Sequence, residues 1–209
     1  MVSLRSSALF FTLTSGSCFG LCVATSLQGA HAQVVPSPND AQTQVTQTGN
    51  QIQINGGTAS GDGQNLFHSF SQFDVPSGST ATFVVGGDIN TVLGRVTGGF
   101  ASVIDGQVLV TGANTNLILM NPAGMLFGPN SSVSVPGSFT ATTASGVQLG
   151  DRWWNGIGLN DYQALNGAPS SLAFTALNPG ALVSSGNLVA GGDVLLSGGV
   201  TAVTGTVSS

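Results

Sequence analysis

The sequence predicts an all-β chain wound as a parallel β-helix, a solenoid of short stacked strands. Three observations carry this reading. The chain is rich in glycine and almost without charge, its apolar residues fall in short runs at a near-regular spacing, and Pro- and Gly-containing corners separate those runs. Of 209 residues 31 are glycine, 41% are hydrophobic and only 5% are charged, against about 25% charged in an average soluble protein. Lys and Glu are absent, so the i,i+4 ion pairs of ordinary surface helices cannot be built. With three arginines, Arg5, Arg95 and Arg152, against eight aspartates, the net charge of −5 excludes nucleic acid as a partner, because a run of phosphates could not be neutralised. The apolar content also excludes a disordered chain.

Residues 1–32 read as a secretory signal peptide. Arg5 supplies the basic start, Ala8 to Ala24 the apolar stretch, and Ala30-His31-Ala32 the small residues of a cleavage site, placing a mature start at Gln33. The apolar stretch is interrupted by Thr12, Thr14, Ser15, Gly16 and Ser17, which disfavours an uncleaved membrane anchor. Both cysteines, Cys18 and Cys22, fall in this segment, so the mature chain is expected to hold no disulfide. It keeps two arginines against eight aspartates, a formal charge of −6, and His68 as its one histidine. No membrane-spanning segment is expected in it.

Residues 33–50 are polar and contain Val35-Pro36-Ser37-Pro38-Asn39-Asp40, an extended leader. From 51 to 209 the β pattern holds, with no 3.6-residue apolar stripe. Between Gln107 and Leu149 apolar triplets start at Val108, Leu117, Met125, Val133, Phe139 and Val147, spaced 9, 8, 8, 6 and 8 residues apart. Every third start is 25, 22 and 22 residues on (108 to 133, 117 to 139, 125 to 147), the repeat of a three-strand coil. An antiparallel sandwich is the competing architecture. The corners favour the solenoid. Asn121-Pro122-Ala123-Gly124 suits a type I turn, Val75-Pro76-Ser77-Gly78 has the same arrangement, and Asn178-Pro179-Gly180-Ala181 suits type II. None is a two-residue hairpin loop.

The stretch 150–170 breaks the rhythm. It holds Arg152, Trp153, Trp154 and Tyr162, and reads as an excursion that folds back over coil edges, with Arg152, Trp153 and Trp154 as a possible contact patch. From Ala181 the rhythm resumes and runs to Ser209 without a polar or helical cap, so an open strand edge is expected and the domain looks shortened at its carboxyl end.

Several segments then resemble one family. Asn65 to Val75 (NLFHSFSQFDV) is similar to the "hSFxxFnV" opening of the two-partner-secretion (TPS) domain, the amino-terminal domain of filamentous-haemagglutinin-type exoproteins. Val92 to Gly99 (VLGRVTGG) resembles its "iLxRVTGG" segment and Ser102 to Gly106 (SVIDG) its "SxIdG" element. Asn116 to Gly128 (NLILMNPAGMLFG) matches "NLfLiNPnGIiFG", and Gly137 to Ala144 (GSFTATTA) matches "GSFxaTTA". The variant is most similar to those of cyanobacterial exoproteins. The resemblance implies a right-handed parallel β-helix with amino-terminal capping strands. It also implies a secretion-targeting role, in which periplasmic POTRA domains of a cognate outer-membrane β-barrel transporter recognise the exported chain. Two features depart from the family: NPNGI is NPAGM here, and the separate NPNL motif is missing.

Candidate recognition residues are Phe67, Phe70, Phe73, Arg95, Asn121, Pro122 and Gly124. Core packing is the simpler role for the aromatics: strand alternation puts Phe67 and Phe73 on one face and Phe70 on the other. A lone arginine in an apolar strand needs a partner, and Asp105 or Asp74 is expected to pair with Arg95. An unfolded β chain also offers backbone groups for capture by strand addition. A stand-alone surface adhesin is the alternative function. An enzyme on a β-helix is least favoured, since no paired carboxylates, no Gly-x-Ser-x-Gly elbow and no partner motif for His68 occur. No metal or cofactor is expected; Gly61-Asp62-Gly63-Gln64-Asn65 offers one carboxylate, too few for calcium. The mature chain is expected to be a monomer that reaches the periplasm and then the cell surface or medium.

Overall fold

Alternation of apolar side chains with Thr, Ser, Gln and Gly turns nearly every short run of this chain into a strand. The structure, a computed structural model, describes residues 34–209; the signal peptide expected over 1–32 lies outside the described residues. β1 (Val34–Pro36), β2 (Thr43–Thr48), β3 (Gln51–Gly56) and β4 (Thr58–Ala59) come first, within and just after the expected leader. The first coil then holds β5 (Asn65–Phe73) and β6 (Thr80–Phe83). The second holds β7 (Thr91–Val96), β8 (Ser102–Ile104) and β9 (Gln107–Val110), and the third β10 (Asn116–Met120), β11 (Met125–Phe127) and β12 (Ser132–Val135). The fourth opens with β13 (Phe139–Thr142), leaves the stack for β14 (Gly146–Leu149), β15 (Arg152–Asn155) and β16 (Pro169–Ala173), and returns as β17 (Ala181–Ser184) and β18 (Asn187–Ala190). β19 (Val194–Ser197), β20 (Val200–Val203) and β21 (Thr206–Ser208) form the last coil.

Each coil after the first contributes one strand to each of three sheets; the first meets the second sheet only through a bridge of Val75 to Ile104. The first sheet runs β1-β5-β7-β10-β13-β19, the second β8-β11-β17-β20, and the third β2-β3-β6-β9-β12-β18-β21. Pairs between coils are parallel throughout, whereas β1 on β5, β4 on β5 and β2 on β3 are antiparallel caps. The architecture is a parallel β-helix, with a cap at its amino-terminal end. Among the described residues, β19, β20 and β21 are paired on one side only.

In-register pairing stacks like side chains on like. Leu66, Val92, Leu117, Phe139 and Val194 form one inward column, and Ile52, Ala81, Val108, Val133, Leu188 and Val207 form another. Where a column carries a bulky residue its neighbours shrink: His68, Gly94, Leu119, Ala141 and Leu196 alternate large and small. A Cβ on Gly94 would lie 3.1 Å from Leu119 and 3.4 Å from Phe70, so glycine there makes room for both.

Of the three sequence spacings, two are pairings: Val108 with Val133 and Leu117 with Phe139. The third is corrected. Met125 pairs with Leu182, not Val147, because β14 already belongs to the excursion, where it is the central strand of the antiparallel sheet β15-β14-β16. The excursion therefore starts earlier than its change in composition. Two corners also differ. At Val75–Gly78 the closing bond is one residue later, from Ser79 N to Pro76 O (3.0 Å), with Gly78 at φ 76° in the third position. Gly180 lacks the positive φ of a type II turn and instead donates to Pro122 O (3.1 Å), holding the returning chain against the previous corner.

Leu117 is fully buried in the middle of its column. Leu117→Ala should cost about 2–5 kcal/mol, read as a lower urea midpoint with an unchanged m-value.

Candidate functional site

The outward face of the first sheet is unlike the other two. On the third sheet Thr80, Gln107, Ser132 and Asn187 face out, as a wetted strand face should. On the first sheet Phe67, Leu93 and Ile118 form an outward column, with Ser69, Arg95 and Met120 beside it, and all are buried. A sheet buried on both sides needs a cover, and the excursion provides it.

Val147, Leu149, Trp154 and Leu165 pack on Phe67, Leu93, Ile118 and Met120 as a second core, distinct from the one inside the coils. Phe67 lies 5.8 Å from the Trp154 ring and 5.1 Å from that of Tyr162. Each large side chain buried there stabilises by about 1.5–3 kcal/mol, so the cover is an integral part of the fold. Trp154 is fully buried, whereas Trp153 is 42% exposed and Arg152 is exposed. Of the contact patch read from the sequence, two residues reach solvent and the third anchors the cover.

The alternation expected for the three phenylalanines is corrected. Phe70 and Phe73 share the inner core with rings 5.0 Å apart, and Phe67 is the outward one. The cause is a bulge: Val35 pairs with Gln72 but Pro36 with Phe70, leaving Ser71 extra and flipping the side-chain phase beyond it.

Arg95 is 2% exposed, and its partner is neither Asp105 nor Asp74. Its Nη2 donates to Asp40 Oδ2 (2.6 Å), Nη1 to Asn155 O (2.6 Å) and Nε to Ser69 Oγ (3.3 Å). Tyr162 Oη donates to the other oxygen of Asp40 (2.5 Å). One guanidinium thus joins the amino-terminal cap, the second coil and the cover. Burial disfavours the Asp40 carboxylate, but hydrogen bonds from Ser69, Tyr162 and Arg95 and the guanidinium charge outweigh it, so its pKa falls below the usual value. Burial and donation to Asp40 raise the Tyr162 phenol well above its ordinary value. Asp74 instead accepts from Val103 N (2.6 Å) and Gln72 Nε2 (2.6 Å), and Asp105 from Asn130 N and Nδ2 (both 3.0 Å). Each of these two carboxylates satisfies backbone at a corner.

A second fastening joins the cover to the first coil. Asp62 accepts from Gly167 N (2.8 Å), Asn65 Nδ2 donates to Gly167 O (2.9 Å), and Gln163 Nε2 donates to Ala59 O (3.0 Å). The loop that offered a lone carboxylate for calcium is used here to hold protein backbone.

The Asn121 corner forms as expected, closed by Gly124 N to Asn121 O (3.0 Å). Asn121 is fully buried and bridges two coils: its Nδ2 donates to Phe100 O and Ser102 Oγ, both at 3.0 Å, and its Oδ1 accepts from Ala123 N (3.0 Å). Gly124 has φ 124°, and a Cβ there would sit 3.0 Å from Ala181 O. Pro122 lines a shallow cleft with Ile157 and Thr175 of the cover. The seven candidate residues therefore fall in three places: Phe70 and Phe73 inside the coils, Phe67 and Arg95 under the cover, and Asn121, Pro122 and Gly124 at a corner beside it.

His68 is 1% exposed among Phe70 and Phe83, and neither ring nitrogen has a hydrogen-bond partner among the described residues. Burial lowers its pKa from 6.5 to about 4. Among the described residues no three His, Cys, Asp or Glu side chains come together as a metal site.

Sequence reasoning missed Asp40, Tyr162, Asp62 and Asn65 as fasteners. No local signal marks them: Asp40 lies 55 residues from Arg95 and 122 from Tyr162, and a carboxylate in a Pro/Asn-rich stretch reads as a turn residue.

A parallel β-helix whose amino-terminal cap and lateral cover are clamped to the coils defines a class of capped β-solenoid modules. The family profile of the TPS secretion domain matches residues 32–208, and the chain belongs to that family. Nine chains of solved structure match, among them the crystal structure of the HMW1 secretion domain from Haemophilus influenzae. It is similar with TM-score 0.55 and 20% identity over 83% of this chain, and the chain spans 40% of that one's length. A search of curated proteins finds no match.

Arg95→Ala should cost about 3–5 kcal/mol, because it leaves Asp40 as a half-buried charge without its cation; the double variant Asp40→Asn/Arg95→Met should recover part of that loss in urea unfolding. The His68 prediction is a pH slope. Above pH 6.5 the imidazole is neutral in both states. As pH falls from 6.5 towards 4 only the unfolded chain takes the proton, so stability drops, by about 3 kcal/mol in all. His68→Leu should remove that slope from unfolding midpoints measured between pH 7 and 4.

Proposed function

We propose that this chain is the targeting module of a secreted exoprotein, delivered to the periplasm by residues 1–32 and recognised there by the POTRA domains of a cognate outer-membrane transporter. The observation that carries the reading is membership of the TPS secretion domain family across residues 32–208. The physical character of the chain supports it. With 5% charged residues, passage through a narrow pore requires few ions to be desolvated. Stacked coils can add one at a time, so folding on the far side biases movement outward without a nucleotide. The chain does no chemistry of its own in this reading: His68 is enclosed in aromatic rings, and the aspartates hold corners and loops.

Co-expression of the full chain with a candidate transporter tests the proposal. The chain should reach the medium only when the transporter is present, and should remain in the periplasm when the transporter lacks its POTRA domains. Equal amounts in the medium with and without the transporter would overturn it.

A further inference from the structure

Among the described residues, the cover ends in a strand edge that nothing pairs with. In the sheet β15-β14-β16, Pro169–Ala173 has a neighbour on one side only. Between its free side and the outward face of the first sheet runs a cleft. The wider part is about 440 Å³ and the narrower about 190 Å³; both are lined by Ile118, Thr140 and Pro169, which makes them one groove. Ile118 and Leu195 supply an apolar floor, Ser171 and Leu172 the β16 wall, and Gln64, Asn90 and Asn116 the far end. No side chain lining either part is ionisable; Asp193 stands one rung beyond Ser138, at the rim.

We propose that this groove binds an extended, uncharged peptide segment of a partner protein, which adds to β16 as a further strand. Three features select that occupant. An unpaired edge presents backbone donors and acceptors at a spacing of about 3.4 Å per residue, which an extended peptide matches and compact ligands do not. Pro169 and the register shift beside it blunt one end of the edge, and Ala173 O is taken by Ser145 N (2.7 Å), so within Ser171 to Ala173 it is Leu172 that turns its backbone to the free side. The apolar floor takes every second side chain of the incoming strand, and the uncharged lining gives a Lys or Asp on it no partner for the water it loses.

The amide end argues against a neutral sugar as the occupant. Asn90 Nδ2 donates to Gln64 Oε1 (3.1 Å), Asn116 Nδ2 to Asn90 O (3.1 Å), and Asn116 Oδ1 accepts from Ser138 N (2.8 Å). The ladder spends much of its bonding capacity along the coil axis, whereas the edge of β16 has its capacity free. The inference concerns the folded chain and holds whether or not a transporter receives it.

The test uses the full chain and a pool of end-blocked heptapeptides alternating Val, Ile or Leu with Ser or Thr. A second pool carries Lys and Asp at the hydroxyl positions, and maltoheptaose serves as the neutral sugar. The alternating pool should bind about tenfold more tightly than the charged pool and slow amide exchange at residues 171–173. Leu195 is 48% exposed, so Leu195→Lys should keep the urea midpoint while weakening the alternating pool about tenfold, by placing a charge on the floor. The proposal is overturned if the pool leaves exchange at 171–173 unchanged at millimolar concentration, or protects only the edges of β19 to β21. It is equally overturned if maltoheptaose perturbs Asn90 and Asn116 while the peptides do not bind.

Discussion

Burial of the first sheet on both faces is the constraint from which the rest of this structure follows. Inward, its strands fill the coil with Leu, Val and Phe; outward, Phe67, Leu93, Ile118 and Met120 would stand in water without the cover. Such a sheet cannot be finished by stacking alone. It requires a second layer, and in this chain the layer is drawn from the fourth coil, which breaks open after Thr142 and resumes at Ala181. Arg95 marks the same constraint electrostatically. A guanidinium in that layer is cut off from water, so the cap must bring Asp40 and the cover Asn155 O to it, while Tyr162 of the cover bonds the other oxygen of Asp40.

The fastenings are long in sequence. Gly167 meets Asp62 across 105 residues and Tyr162 meets Asp40 across 122. Coil-to-coil pairing from β5 to β13 in the first sheet needs only 22 to 26 residues between partners. The chain thus combines a local, repetitive assembly with a late, non-local closure, and loop-closure entropy orders the two.

What the sequence made legible is the part governed by nearest neighbours. Strand repeats at 25 and 22 residues are the pairings of Val108 with Val133 and Leu117 with Phe139, and the Asn121 corner closes as its residues require. Legibility failed where one residue changes phase or where partners are remote. The bulge at Ser71 puts Phe73 on the same face as Phe70 instead of that of Phe67, and no residue type announces it. Val147 carries the same apolar triplet as a coil strand, so periodicity placed it beneath Met125 although it pairs with Trp154 and Leu172. Arg95 was recognisable as needing a carboxylate, but with eight aspartates available only three-dimensional proximity selects Asp40.

If the doubly buried sheet is the organising constraint, cover and coils must open together. Native-state hydrogen exchange measures this directly. The account predicts that amides of β14 exchange with the same opening free energy and denaturant dependence as those of β7 and β10. Exchange of β14 through a small, denaturant-insensitive opening, while β7 and β10 stay protected to the global limit, would contradict it.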